Sequence, residues 1–325
     1  MARPPPLGPE LRGASLSSTT DAAAPLGERT RVGRASRSAG ARLRISFWFA
    51  VPALVFFAAI VVYPTVQGVY YAFTDWSGLG SEINFVGIQN FVSLFSSPDT
   101  SGALWHTLLM AGSITIAQNA IGLLLAMGLS SRIRSRNVLR TLLFAPVVMT
   151  PIIVGYVWQF IFVPGGAFAQ FTALLGAKDG GLNVLGETST AIWGIIAIVV
   201  WQYAGYSMVI YLAGMQNIPE EVTEAAALDG AGSVKRFAFV TWPLLRTPTV
   251  INITLSLITS FKLFDQVIAT TQGGPGNSTQ TLSTLLYNEA FLYNRYGYGI
   301  ALGLIVFILI AVISFGQMRV FRERG

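Results

Sequence analysis

Residue types that make and break bonds are scarce in this chain, and the few present are spaced for recognition. Cys is absent, which removes disulfides, thiolate nucleophiles and every zinc site built on Cys. His106 is the only histidine, so a His-based metal cluster or a Ser-His-Asp triad would have a single residue to build on. No G-x-x-x-x-G-K-[ST] stretch occurs and Gly176-Ala-Lys178 lacks that pattern, so the chain is not expected to hydrolyse ATP by itself. What remains falls into three groups. Glu220, Glu221 and Glu224 lead into an Ala-rich stretch. Gln202, Tyr203 and Tyr206 in one apolar run, and Asn252, Ser256, Thr259 and Ser260 in another, set hydroxyls, amides and aromatic planes at helical spacing. Such groups suit a neutral sugar, which offers hydroxyls at its edge and C–H faces for stacking. They equally suit hydrogen bonds from one helix to the next. Lys262 lies one turn before Asp265, a spacing that allows pairing in a helix. It could instead anchor a phosphorylated polyol; because the other apolar runs offer no Lys or Arg away from their ends, an uncharged solute is favoured.

The elements that must position these residues belong in lipid. Of 325 residues, 53% are hydrophobic and 11% charged, and the mean hydropathy is +0.58. A water-soluble domain carries about 25% charged residues to keep its surface hydrated. Spanning hydrocarbon as a helix takes about 20 mainly apolar residues, because each backbone N–H and C=O must be satisfied within the segment. Six runs meet this need: Phe47 to Phe73, Leu104 to Leu129, Leu139 to Phe162, Ile192 to Gly214, Val250 to Thr270 and Ile300 to Met318. Pro64, Pro146, Pro151 and Gly205 fall inside them, as bundled membrane helices tolerate. The fold class expected is all-α.

The net charge is +6, and its placement matters more than its size. Eight arginines precede the first run (Arg3, Arg12, Arg29, Arg31, Arg34, Arg37, Arg42, Arg44) and four lie between the second and third (Arg132, Arg134, Arg136, Arg140). Three bases separate the fourth and fifth (Lys235, Arg236, Arg246), and three follow the sixth (Arg319, Arg322, Arg324). The positive-inside rule then puts both termini and the second and fourth connections in the cytoplasm. Residues 1–44, rich in Ala, Arg, Pro, Gly and Ser without an apolar period, read as a disordered cytoplasmic tail ahead of a membrane domain over 45–325. A transit peptide is the rival reading, against which Glu10, Asp21 and Glu28 count.

Between the fourth and fifth runs, Asn217 can cap a helix, Pro219 suits its first turn, and Glu220 and Glu221 meet the positive end of its dipole. Glu224 to Leu228 favour helix and Asp229-Gly230 supplies a stop. Glu224-Ala225-Ala226, three residues, Gly230, nine residues and Val240-Thr241-Trp242-Pro243 resemble the EAA loop of ABC importer permeases, departing from its pattern at Val240 and Trp242. Phe85-Val-Gly-Ile-Gln-Asn-Phe-Val-Ser-Leu-Phe resembles that family's motif before the second span; its apolar Phe85, Ile88, Phe91, Val92 and Phe95 are expected on one face of an interfacial helix. Arg140-Thr-Leu-Leu-Phe-Ala-Pro is similar to the family's cytoplasmic entry. Asp265 followed by Gly273, Gly274 and Pro275 looks like the signature of the carbohydrate-uptake branch.

The resemblance implies a six-span type I ABC importer permease fold in a bacterial-type inner membrane. Its coupling loop, over 217–243, would dock on an ATPase through Glu224, Ala225, Ala226, Leu228, Asp229, Gly230 and Pro243. Gln202, Tyr203, Tyr206, Asn252, Ser256, Thr259 and Ser260 would line the substrate pathway, with Lys262, Asp265, Gly273, Gly274 and Pro275 at its outer mouth. The implied partners are a second, homologous permease, two ATPase subunits that bind ATP and Mg, an extracytoplasmic solute-binding protein, membrane lipid and a sugar or related polyol. No cofactor is expected in this chain, and no nucleic acid partner. The rivals are a secondary transporter or channel, which needs an ion-coupling carboxylate deep in the membrane, and a membrane enzyme, which needs clustered ionisable groups at one interface.

Overall fold

The structure, a computed structural model, describes residues 39–80, 82–130, 134–176 and 182–322. The expected tail therefore lies outside it up to residue 38, and residues 39–44 already belong to a helix. The chain divides at Ala58 into two units. Of the first, the structure describes α1 (Ala39–Phe57), with Pro52 inside it.

A π-helical turn over Ala58–Val62 precedes α2 (Tyr63–Tyr71). Pro64 has no N–H for the carbonyl of Ile60, four residues back, and the wider turn sits over that missing bond. Next come α3 (Gln89–Ser96), α4 (Pro98–Ser130), α5 (Arg136–Val148), α6 (Pro151–Phe162), α7 (Ala167–Leu174) and α8 (Ala191–Gln216). The short helices α9 (Glu220–Leu228), α10 (Ser233–Arg236) and α11 (Trp242–Leu244) lead to α12 (Arg246–Phe261). A second π-helical turn, Phe237–Thr241, stands two residues ahead of Pro243, just as the first stands ahead of Pro64. The chain closes with α13 (Asp265–Thr270), α14 (Leu282–Tyr287) and α15 (Tyr296–Arg322). Among the described residues no strand forms; a lone bridge joins Thr74 and Phe85.

Five helical segments are long and apolar enough to cross a bilayer, and a pair bent by 69° between Ser233–Leu244 and Arg246–Phe261 makes a sixth if it counts as one span. The all-α membrane class is thus observed, with two spans built differently from expectation. The third run breaks at Met149 and Thr150, and the qualifying segment is Pro151–Leu174. Pro151 pushes the residue before it out of helical geometry, which a count of apolar residues does not register. The fifth run, expected to reach Thr270, stops at Phe261 and restarts at Asp265.

α4 and α8 pack closely against each other, and α12 packs against both. A Cβ on Gly122 of α4 would meet Ser207 Cβ at 2.4 Å, so only glycine lets these two backbones approach so closely. Met110, Ile114, Ile195, Val199 and Val267 form one core cluster; Leu94, Ala103, Leu282, Leu285 and Leu302 form another. Lipid tails are as apolar as these side chains, so the gain from packing them is close van der Waals contact rather than release of water. α3 departs from the expected single face. Gly87, at φ +61°, turns the chain just before the helix, and Phe85 stays in the Thr74 bridge. Phe91 turns inward against the ring of Phe73 at 5.2 Å, while Phe85, Ile88, Val92 and Phe95 stay exposed.

Candidate functional site

The Ala-rich segment forms the exposed helix α9, and its ends follow from local chemistry. Pro219, in extended conformation with ψ 136°, begins it, and Glu220 and Glu221 occupy the first turn. Asn217 does not cap this helix. It closes α8 instead, its N–H donating to the Gly214 carbonyl at 3.2 Å, because Ile218 and Pro219 intervene before α9 starts. At the far end the N–H of Ala231 donates to Ala226 O at 3.0 Å and that of Gly230 to Ala227 O at 3.1 Å. This double closure needs a left-handed residue, which Gly230 supplies at φ +78°. Glu224, Ala225, Asp229 and Pro243 are exposed and Ala226 is half-buried. Around them Leu228, Val234 and Phe239 are 89%, 81% and 78% exposed, apolar side chains left uncovered by the described residues. Val234 and Phe239 escaped the sequence reading. Their signal was an apolar residue placed among bases, at Val234-Lys235-Arg236.

Inside the bundle, amides and hydroxyls from three helices meet. Gln118 Nε2 of α4 donates to Ser207 Oγ of α8 at 2.8 Å, and Ser207 Oγ donates to Asn252 Oδ1 of α12 at 3.0 Å. Asn119 Nδ2 donates to Ser256 Oγ at 3.0 Å, while Tyr211 OH donates to Asn119 Oδ1 at 3.0 Å. Gln202 Nε2 donates to the Met149 carbonyl at 3.0 Å, and Gln266 Nε2 donates to Gln202 Oε1 at 3.0 Å. Gln202, Asn252, Ser256 and Ser260 are all buried. Gln202 and Asn252 spend their hydrogen bonds on neighbouring helices and Ser256 accepts one from Asn119, the second of the two uses read from their spacing. Tyr203, Tyr206 and Thr259 differ: with Gln118, Val147, Leu255 and Ser256 they line a cleft of 190 Å³ that carries no charged side chain. Gln118, Asn119 and Gln266 went unread in the sequence, although amides inside apolar helices are a detectable signal.

At the other end of α12, Lys262 is exposed and Asp265 half-buried, and they form no ion pair; among the described residues a salt bridge joins Arg295 to Glu289. Lys262 lies in the turn just past α12 and Asp265 begins α13, so no continuous helix brings them together at the one-turn spacing. Thr281 Oγ1 donates to the Leu263 carbonyl at 2.9 Å and holds the gap between α12 and α13. Gly273, at φ +93°, and Gly276, at φ +55°, flank a cis peptide bond between Gly274 and Pro275. This loop is tied internally, with Thr279 Oγ1 donating to Gly274 O at 2.7 Å and Thr279 N–H donating to Gly273 O at 3.1 Å. Among the described residues no three of His, Cys, Asp and Glu come together as metal ligands.

Residues 118–324 match the family described as "Binding-protein-dependent transport system inner membrane component". The chain is 35% identical over 281 residues to the probable starch degradation products transport system permease protein of Thermoanaerobacterium thermosulfurigenes, covering 86% of this chain and 95% of that protein. It is 32% identical over 275 residues to the multiple sugar-binding transport system permease protein of Streptococcus mutans, covering 85% and 94%. Its fold is similar to a chain of the bacterial alginate ABC transporter solved with an alginate pentasaccharide-bound periplasmic protein. That match has a TM-score of 0.77 and 19% identity, and covers 87% of this chain and 96% of that one. The architecture is therefore that of a type I ABC importer permease.

Proposed function

Because this chain belongs to the family of binding-protein-dependent transport system inner membrane components, as a permease subunit and not an enzyme, we propose that it imports a sugar or related polyol, mono- or oligosaccharide. The observation that carries the coupling half of this reading is α9, a free-standing Glu-Ala-Ala helix closed by Gly230. Alanines let a helix sit deep in a partner's groove, and Glu224 can pair with a basic rim. Two ATPase subunits, binding ATP and Mg, would receive this helix and its counterpart on a second, homologous permease. Closing of the ATPase pair would then switch the bundle between outward- and inward-facing states as a rigid-body motion. An extracytoplasmic solute-binding protein would deliver the solute to the mouth formed by Lys262, Asp265, Gly273, Gly274 and Pro275. Both termini and α9 would face the cytoplasm, as the distribution of Arg and Lys requires.

For the solute, support comes from the sugars named in both relatives and from the uncharged cleft wall. Tyr203 and Tyr206 would stack on sugar C–H faces and Thr259 would bond a ring hydroxyl. Gln202, Asn252, Ser256 and Ser260 would hold those groups from behind. A secondary transporter or channel needs a carboxylate deep in a span, and the one candidate, Asp265, lies beyond the end of α12. The test is to purify the intact assembly and screen sugars, with the binding protein present, for stimulation of ATP hydrolysis. Stimulation by a sugar supports the reading; solute uptake by this polypeptide without an ATPase overturns it.

A further inference from the structure

The broken third span consists of two helices with different neighbours. α5 lies so close to α8 that a Cβ on Gly205 would come within 2.0 Å of the Leu143 carbonyl oxygen. α6 packs mainly on α13, with Val154, Phe162 and Trp158 also reaching Ile198 and Trp201 of α8: a Cβ on Gly155 would lie 2.5 Å from Ala269 Cβ, and Gln159 Nε2 donates to the Thr270 carbonyl at 3.1 Å. Between them Met149 and Thr150 are extended, with ψ of 142° and 139°. The break is therefore a joint between α5, seated on α8, and α6, which packs on α13 and, through Val154, Phe162 and Trp158, on α8 as well.

A break at membrane depth leaves backbone groups that lipid cannot satisfy. Here Gln202 meets that need. Its fully buried side chain donates to Met149 at the joint and accepts from Gln266 of α13, while its own helix, α8, is the one α5 is seated on. Its sequence neighbour Tyr203 lines the cleft together with Val147 of α5. Asp265, immediately before Gln266, opens the outer-mouth segment.

We propose that Gln202 is a positioning residue for transport: its two hydrogen bonds fix the angle between α5 and α6 and tie the outer-mouth segment to the cleft wall. The purpose of the lock rests on the import reading above; its geometry does not. Gln202 touches no solute and acts through Met149 and Gln266. Gln202→Met keeps the volume and removes both bonds, and Gln266→Met removes one. In Gln202→Glu, a buried carboxyl held neutral retains one donor and one acceptor and restores the lock.

The absence of native Cys allows paired spin labels. Labels at Val138→Cys and Phe160→Cys, both exposed positions far from the break, report the angle between α5 and α6; labels at Leu142→Cys and Trp193→Cys report α5 against α8. The purified chain in lipid nanodiscs should give one narrow Val138–Phe160 distance. Either Met variant should add a second distance, shifting the ratio of conformers roughly tenfold, the effect of leaving a buried amide unpaired. The α5–α8 distance should stay fixed, solute moved per ATP in the assembled importer should fall, and Gln202→Glu should recover both. An unchanged Val138–Phe160 distance in the Met variants overturns the proposal, as does equal broadening of both pairs, which would mean general loosening. If no ATPase assembles with the chain, the import reading fails while the distances still decide the lock. If Gln202→Met does not accumulate, Gln266→Met carries the test.

Discussion

At the scale of single residues, the polar groups of the spans divide into those that hold helices and those that face open space. Asn252 accepts from Ser207 and donates back to the Ser207 carbonyl, and both side chains are fully buried. Asn252→Leu should therefore lower the melting temperature of the detergent-purified protein, by an amount equivalent to about 1–2 kcal/mol. Tyr206 lies at the cleft with no such role. Tyr206→Ala should leave melting and assembly unchanged and weaken uptake roughly tenfold, the loss of one stacked sugar face; unaltered uptake kinetics would remove it from the pathway. The sequence could show that Gln202, Asn252 and Tyr206 were polar residues at helical spacing. Which of them faced a partner depended on Gln118, Asn119 and Met149, positions far away along the chain.

Elements were legible where propensity and periodicity agreed. α9 is an example: acidic first turn, Ala-rich centre, glycine stop. Gly230→Pro cannot adopt φ +78° and loses the N–H that bonds Ala227, so it should unravel the end of α9. The measurement is co-purification of the ATPase, which should be lost while the protein remains in the membrane. Normal yield with full transport would contradict it. Elements were less legible where a long-range bond intervened. Nothing local in Lys262-Leu263-Phe264 stops a helix; Thr281, taking the Leu263 carbonyl, does so from a distant part of the chain. The connection after α2 adds a pH dependence. The backbone N–H of Asn84 at 2.9 Å, and then its side-chain amide at 3.1 Å, donate to the Asp75 carboxylate and lower its pKa. A lowered carboxylate stabilises the folded loop above its unfolded pKa and loses that effect as pH falls through the folded value. The protection factor of the Asn84 amide, its exchange rate relative to the intrinsic rate at each pH, should accordingly hold at neutral pH and drop only below the usual carboxylate range; a protection factor that already falls near pH 7 would contradict this.

For the molecule as a whole, the sequence revealed a lipid-embedded helical protein because composition and charge placement act over the entire chain. It did not reveal the joint at Met149, since Pro146 and Pro151 read as tolerated kinks until their neighbours were known. The account has one mechanical premise, that motion enters through the exposed Glu-Ala-Ala helix. Leu228, Val234 and Phe239 around it expose apolar surface that a partner would have to cover. With no native Cys, one Cys at Ala225 can be joined by a short bifunctional reagent to a Cys in the groove of the partner ATPase. The account predicts an efficient cross-link, formed only from the cytoplasmic side, that stops uptake until it is cleaved. A Cys at Ala225 that reacts with an impermeant reagent applied from outside, or uptake that continues in the fully cross-linked complex, would contradict it.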